Sequence, residues 1–99
     1  MDTPLTIIVT YKTKPGMAKA YYDRVVSEGV AAGVRQEEGN KGYDFYMPMD
    51  QPDTLVLIEK WDNKACADAH AGTPIVKKLA SFKADYVLET QAVRYCRFE

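Results

Sequence analysis

The sequence predicts an α+β domain in which two helical segments cover one face of a four-stranded antiparallel sheet. Alternating patterns typical of strands occur near both ends of the chain and twice in its middle. Two stretches between them place apolar residues three and four positions apart, which is typical of amphipathic helices. The resulting order is β-α-β-β-α-β, the ferredoxin-like arrangement, with the second helix broken. A chain of 99 residues has the length of one domain, spanning 1–99.

The first half of the chain is predicted to form a strand, a helix and a second strand. Leu5 to Tyr11 alternates and is rich in β-branched residues, which favours a strand. Lys14-Pro15-Gly16 marks a turn that starts the helix. Gly39, within Glu38-Gly39-Asn40, is suited to a C-terminal cap and ends the helix. The second strand follows over Gly42 to Met47.

The first helix is predicted to present one apolar stripe to the sheet. Gly29 and Gly33 each cost about 1 kcal/mol relative to alanine inside a helix. We expect a close approach to the sheet to compensate for this cost, although a frayed C-terminal end of the helix would give the same pattern. The residues of the stripe are Ala18, Tyr21, Tyr22, Val25, Gly29 and Ala32.

The third strand, Thr54 to Trp61, carries apolar residues on both of its faces. We therefore expect it to be covered on both sides rather than solvated on one. Helices on one face of a four-stranded sheet leave the other face open. A second copy of the chain packed on that face would bury it, so the pattern predicts a homodimer.

The remaining residues are predicted to form the broken helix and the last strand. Asp62 or Asn63 can cap a short helix that reaches about Ala71. Thr73-Pro74 then restarts a helix, with a cap followed by proline at the first helical position. The last strand is expected over Tyr86 to Tyr95.

Composition and charge exclude several classes of function. Thirteen basic and fourteen acidic residues leave a formal charge of −1, so no strong field attracts nucleic acid or an anionic membrane. The apolar run from Leu5 to Val9 is broken by Thr6 and is far too short to cross a bilayer. Met1-Asp2-Thr3-Pro4 lacks the basic residues of a secretory signal. Cys66 and Cys96 match no disulfide scaffold or zinc pattern, so we expect two reduced thiols in a cytoplasmic protein.

Few side chains in this sequence are candidates for chemistry. Glu59 stands between Leu57 and Trp61 on an otherwise apolar strand face, where a carboxylate needs a partner or a raised pKa. Pairing with an arginine or lysine and a role as a catalytic or ligand-orienting acid are both open. Trp61 and the tyrosines, Tyr43 among them, could line an aromatic pocket or fill the core.

His70, the only histidine, lies one helical turn after Cys66 and is expected to face the same way. Such a pair could be a nucleophile and its base. However, it lacks an orienting acid nearby in the sequence, and it supplies only two metal ligands. A partly exposed helix residue is the simpler interpretation of His70.

Three segments carry a resemblance to a known family. They are RQEEGNKGY at 35–43, IEKWD at 58–62 and DAHAGTP at 68–74. In these segments the chain resembles the antibiotic biosynthesis monooxygenase (ABM) domain family, and within it most closely the small quinol monooxygenases. The specific part is Glu-x-Trp followed by Ala-His-x-x-Thr-Pro, while the looser match runs from the first strand to the last.

The resemblance implies a dimeric α+β barrel and, as in some members, oxygenation of a small electron-rich quinol, phenol or anthrone by dioxygen. It implies no cofactor, because the deprotonated substrate itself supplies electrons to dioxygen. Carried over by position, His70 is the candidate base or hydrogen-bond donor, and Glu59 orients or polarises the substrate oxygen. Trp61 and Tyr43 would form the pocket wall.

Other functions remain open from the sequence. Haem-degrading members of the family have a similar fold, but they use an asparagine on the first strand and a histidine on the later helix, and this chain has neither. A relative that isomerises a phosphorylated autoinducer sugar carries a similar His-x-x-Thr-Pro segment, and Arg24, Arg35 or Lys77 could bind its phosphate. A dimeric small-molecule-binding or stress-response domain without turnover is the alternative from a different class.

Overall fold

The computed structural model describes residues 3–96 and confirms the α+β, ferredoxin-like fold. The four strands form one antiparallel sheet in the order β2-β3-β1-β4. Within these residues no helix is long and apolar enough to span a membrane. The elements are β1 (Leu5–Thr13), α1 (Ala18–Ser27), α2 (Val30–Arg35), β2 (Asn40–Tyr46), β3 (Thr54–Trp61), α3 (Lys64–Ala71), α4 (Pro74–Lys83) and β4 (Val87–Cys96).

The first helical segment is broken at Gly29, which the apolar stripe did not predict. Gly29 has a φ of 76°, in the left-handed region that glycine adopts at little cost. Because this residue interrupts the helical period, the apolar positions after it do not continue the phase of α1. Three residues of the predicted stripe are exposed: Tyr22, Gly29 and Ala32. The buried residues of α2 are instead Val30, Ala31 and Val34.

Gly33 makes its close approach to a helix rather than to the sheet. A Cβ atom built on Gly33 would lie 2.5 Å from Cδ1 of Ile75 in α4. The missing side chain therefore lets α2 and α4 pack closely. The prediction that Gly33 closely approaches the sheet was wrong.

Side-chain caps fix the starts of α3 and α4. The side chain of Asn63 accepts a hydrogen bond of 2.9 Å from the backbone N–H of Cys66. Thr73 caps α4 in the same way, and Pro74 occupies its first turn. Such caps typically contribute about 1 kcal/mol each. Of the two caps that the sequence allowed for α3, the structure uses Asn63 and not Asp62.

The core lies between the sheet and the helices. Alternate residues of β1 and β3 point to this side, and all of them are buried. Each large apolar side chain buried in this way stabilises the fold by about 1.5–3 kcal/mol. Glu59 is the only buried carboxylic acid among residues 3–96. The buried residues from these two strands that face the helices are Leu5, Ile7, Val9, Tyr11, Leu55, Leu57, Glu59 and Trp61.

No helix within residues 3–96 covers the opposite face of the sheet. Ile8 is the register partner of Ile58 on β3 and of Val93 on β4, so apolar residues form a continuous row across three strands. Ile8 and Ile58 are half-buried, whereas Val93 and Tyr95 are exposed. This surface, called the outer sheet face below, is where the sequence predicts a second copy of the chain.

Candidate active site

The central strands bring three predicted site residues to one side of the sheet. Glu59 and Trp61 are two positions apart on β3, so both side chains point toward the helices. Nε1 of Trp61 donates a buried hydrogen bond of 3.0 Å to Oε1 of Glu59. Tyr43 on β2 is the register partner of Glu59 and is buried on the same side.

Helix α3 places His70 against these residues. The centroid of its ring lies 5.0 Å from that of Trp61 and 6.3 Å from that of Tyr43. Nε2 of His70 lies 4.0 Å from Oε1 of Glu59, which is too long for a direct hydrogen bond. Among residues 3–96, the only hydrogen bond of the imidazole ring is made by its other nitrogen, Nδ1. All four predicted site residues thus form one cluster.

Glu37 is part of this cluster, and the sequence analysis did not select it. Its Oε1 lies 2.7 Å from Nδ1 of His70, which is a short hydrogen-bond distance. Glu37 stands in the turn between α2 and β2, 33 residues before His70. The sequence lacked an orienting acid near the histidine because this acid comes from another part of the fold. Its position within the matched segment 35–43 was the only available signal.

Burial dominates the electrostatics of the cluster. It raises the pKa of Glu59 above the usual range, while the hydrogen bond from Trp61 and the positive charges of His70 and Arg94 act in the opposite direction. Burial also raises the pKa of Tyr43, and the negative charge of Glu59 adds to this effect. Among the described residues, Glu59 has no lysine or arginine partner within ion-pair distance, and its hydrogen bond comes from Trp61. Glu59 therefore keeps its proton to a higher pH than an exposed glutamate.

A groove of about 410 Å³ opens beside His70. Glu37, Cys66 and His70 are among the residues that line it. Trp61 and Tyr43 are almost fully buried and do not line this groove. The imidazole of His70 therefore separates the groove from the buried part of the cluster.

The groove lacks the arrangements that the other candidate chemistries need. Cys66 lines it, as expected from its spacing to His70, but Nδ1 of His70 is bonded to a carboxylate and not to the thiol. Arg24 and Arg35 make hydrogen bonds elsewhere, and neither they nor Lys77 line the groove. The described part of the chain contains no group of three or more His, Cys, Asp or Glu residues placed to hold a metal ion.

Residues 4–81 match the model of the family described as "Antibiotic biosynthesis monooxygenase". The chain is 32% identical over 98 residues to "Probable quinol monooxygenase YgiN" of Escherichia coli (strain K12), which covers 86% of this chain and 89% of that protein. It is also 25% identical over 103 residues to protein sll1783 of Synechocystis, covering 93% of this chain and 69% of that protein.

Solved structures show the same fold. PA3566 from Pseudomonas aeruginosa superposes with a TM-score of 0.86 at 24% identity, covering 100% of this chain and 98% of that one. Rv0793 from Mycobacterium tuberculosis superposes with a TM-score of 0.81 at 21% identity, covering 97% and 96%. At these identities the likeness concerns the fold alone. The family match over most of the chain and the 32% identity together show that this chain belongs to the antibiotic biosynthesis monooxygenase (ABM) family.

Proposed function

We propose that this protein is a cofactor-independent monooxygenase that oxidises a small electron-rich quinol, phenol or anthrone with dioxygen. The observation that carries the proposal is the hydrogen bonding of the two ring nitrogens of His70. Its Nδ1 is held by a carboxylate, whereas its Nε2 has no hydrogen-bond partner among residues 3–96. A ring nitrogen of this kind can accept a proton from a bound hydroxyl group.

The reaction that fits these residues begins with proton transfer. His70 takes the acidic proton of the substrate, and the resulting anion supplies electrons to dioxygen. The substrate loses four electrons in total, one oxygen atom enters the product, and the other leaves as water. The protein binds the ring, accepts the proton and limits the access of bulk water.

The buried part of the cluster supports His70 in this role. Burial raises the pKa of Glu59, so its carboxyl group holds a proton to a higher pH than an exposed glutamate. In this protonated form it donates a hydrogen bond that polarises the substrate oxygen. Trp61 fixes the carboxyl group through its indole N–H. For Trp61 and Tyr43 to form a pocket wall, the His70 side chain must move on binding, because neither residue lines the groove.

We further propose that the protein is a homodimer that packs through the outer sheet face. The apolar row across β3, β1 and β4 supports this, since Val93 and Tyr95 leave 39% and 52% of their surface exposed in a single chain. Burying such a row in a twofold interface would supply the missing cover of the sheet. Both cysteines are free thiols, which fits the cytoplasmic location expected from the sequence.

The proposal is tested by oxygen uptake with a panel of quinols and anthrones. We expect uptake without added metal or cofactor, and one atom of ¹⁸O from labelled dioxygen in the product. His70→Ala should lower kcat/KM by about 100-fold or more, the usual contribution of a general base. Lys77→Ala, at an exposed position on α4, is the control and should leave uptake unchanged.

Three results would contradict the proposal. Unchanged uptake by His70→Ala would remove His70 from the mechanism. An absence of uptake with every substrate, together with tight binding of the same compounds, would favour a binding domain without turnover. Loss of activity toward a phosphorylated sugar in Lys77→Ala would favour the isomerase.

A further inference from the structure

We propose that Glu37 is a positioning residue, whose carboxylate holds the neutral imidazole of His70 with its proton on Nδ1 and leaves Nε2 as the proton acceptor. The catalytic part of this inference rests on the proposed function. The hydrogen-bonding part rests on geometry alone. Glu37 itself is not proposed to touch the substrate.

The contact between Glu37 and His70 is short and shielded. The distance from Oε1 to Nδ1 is 2.7 Å, and the two side chains are only 16% and 12% exposed. The other carboxylate oxygen, Oε2, is buried without a hydrogen-bond partner among the described residues. The bond to His70 is therefore the main compensation for taking this carboxylate out of water.

The backbone around Glu37 is tied to both neighbouring elements. Its N–H donates to the carbonyl of Val34, and its carbonyl accepts from the N–H of Asn40. The carbonyl of Gly39 accepts a hydrogen bond of 2.8 Å from the N–H of Asp62, just after β3. These bonds hold the turn that carries Glu37 against the end of β3, just before α3 begins.

Gly39 also lets the turn lie directly against α3. It has a φ of 80°, and a Cβ atom there would collide with the side chain of Cys66. Cys66 lies one turn before His70 on the same helix. Direct contact at this point fixes the position of α3 relative to the turn that carries Glu37.

The chemistry follows from the two tautomers of neutral histidine. A carboxylate only accepts hydrogen bonds, so the ring nitrogen that faces it carries the proton. Nε2 is then the nitrogen with the free lone pair, and it lies on the side of Glu59. Without Glu37 the ring is free to carry its proton on Nε2, and that nitrogen no longer accepts one. After proton transfer, the carboxylate also balances the charge of the imidazolium.

The tautomer can be measured directly, because His70 is the only histidine of the chain. Long-range ¹H–¹⁵N NMR of labelled protein, at a pH above the titration of the ring, distinguishes a protonated Nδ1 from a protonated Nε2. We expect the Nδ1–H form in the wild type. Glu37→Met, which keeps the volume and removes the acceptor, should shift the ring toward the Nε2–H form. Glu38→Met removes the same charge one residue away, at an exposed position, and should leave the tautomer as in the wild type.

A wild-type ring protonated on Nε2, or an unchanged ring in Glu37→Met, would overturn the hydrogen-bonding part. The wild-type measurement needs no variant, so it is decisive even where Glu37→Met unfolds.

The catalytic part is tested by the same variant in the oxygen-uptake assay. Glu37→Met should lower kcat by about 10–100-fold, by analogy with the carboxylates that orient metal-bound histidines, with KM changed only a few-fold. In the His70→Ala background the same substitution should have no further effect. An inactive His70→Ala beside an unaffected Glu37→Met would overturn the positioning role and leave the proposed function intact. Full activity of His70→Ala would instead remove His70 from the proposed mechanism and overturn the catalytic part, while the NMR result would still decide the hydrogen bond.

Discussion

Trp61 donates its indole N–H to Glu59, two residues earlier on the same face of β3, across 3.0 Å. The bond joins the only buried carboxylic acid of residues 3–96 to the largest buried side chain. The bond gives one carboxyl oxygen of Glu59 a donor and lowers the pKa of this residue. Burial raises the pKa by more, so the pKa of Glu59 remains above the usual range. The proton affinity of this residue can therefore be tested by substitution at either position.

Glu59→Gln should increase the stability of the fold at neutral pH. Burial raises the pKa of Glu59 in the folded chain above its value in the unfolded chain. Folding then takes up a proton between the two values, so the wild type loses stability as the pH rises through that window. Glutamine can accept the same hydrogen bond from Trp61 and has no charge to desolvate.

Urea unfolding from about pH 4 to about pH 8 measures this effect, since the window begins near the unfolded pKa of a glutamate. The stability difference between Glu59→Gln and the wild type should grow with pH and then level off. The exposed Glu89→Gln controls for the loss of one charge. A difference that is constant over the whole range would contradict the prediction.

Trp61→Phe should raise the pKa of Glu59 further. The lost N–H donor favours the ionised carboxylate, as hydrogen bonds to a charged form do. The substitution should also destabilise the fold by about 1–3 kcal/mol, because the hydrogen bond is lost and the new ring is smaller. ¹³C NMR of the Glu59 carboxyl group measures the titration.

Tyr43→Phe is the matched control for this titration. It changes a buried ring beside Glu59 that has no hydrogen bond to the carboxyl group among the described residues. If Trp61→Phe and Tyr43→Phe change the pKa of Glu59 equally, packing rather than the indole N–H controls the proton affinity of Glu59.

Gly29→Ala should lower the free energy of unfolding by about 1–2 kcal/mol, the cost of a left-handed conformation for an L-residue. A Cβ atom at this position meets no other atom within 4 Å, so the cost comes from the backbone and not from a clash. Gly72→Ala is the control, because Gly72 has a φ of −96° and a Cβ atom there would make only an ordinary contact, 3.8 Å from the carbonyl oxygen of Ala69. Equal effects in chemical denaturation would show that the break at Gly29 does not require glycine.

Gly33→Ala should have opposite effects in two backgrounds. In the wild type the new methyl group collides with Cδ1 of Ile75, at a cost of about 1–3 kcal/mol for overpacking. Ile75→Val removes that atom, and the next contact at 3.5 Å is an ordinary one. In that background alanine should stabilise α2 by up to about 1 kcal/mol through its helix propensity. A double-mutant cycle with no coupling between the two positions would be inconsistent with the close approach of α2 and α4.

Ile58→Lys should convert the proposed homodimer into a monomer. The substitution places a charge in the centre of the outer sheet face, where an interface would have to desolvate it. Sedimentation at micromolar concentration measures the change. Val26→Lys, at an exposed apolar position on α1, should leave the dimer unchanged. A wild type that sediments as a monomer would exclude the dimer.

The architecture was largely predictable because its signals are local. Alternation over Thr54 to Trp61 located β3 with its observed bounds. A cap, a glycine and a Thr-Pro pair located the break between α3 and α4. The break at Gly29 was missed because the three- and four-residue spacing in the sequence runs on through Gly29 to Ala32, although both residues are exposed in the structure. The left-handed φ of Gly29 marks the break between the two helices.

The candidate site was predictable only as far as its residues stand near one another in the chain. Glu59, Trp61 and His70 come from one strand and the helix that follows it, so spacing and family resemblance selected them together. Glu37 was not selected, because its contact with His70 depends on the docking of a distant turn. The groove likewise depends on three-dimensional packing, and no periodicity indicates which side of the histidine it opens on.

The two carboxylates beside His70 also differ in how much chain must be closed into a loop to reach it. Glu59 precedes the histidine by 11 positions in the sequence, whereas Glu37 precedes it by 33. Closing the longer loop costs about 1 kcal/mol more in chain entropy. A partly folded chain can thus hold the histidine near Glu59 before the second acid arrives. The hydrogen bonding of the His70 imidazole would then report whether β3 and α3 come together before the turn that carries Glu37 docks on them.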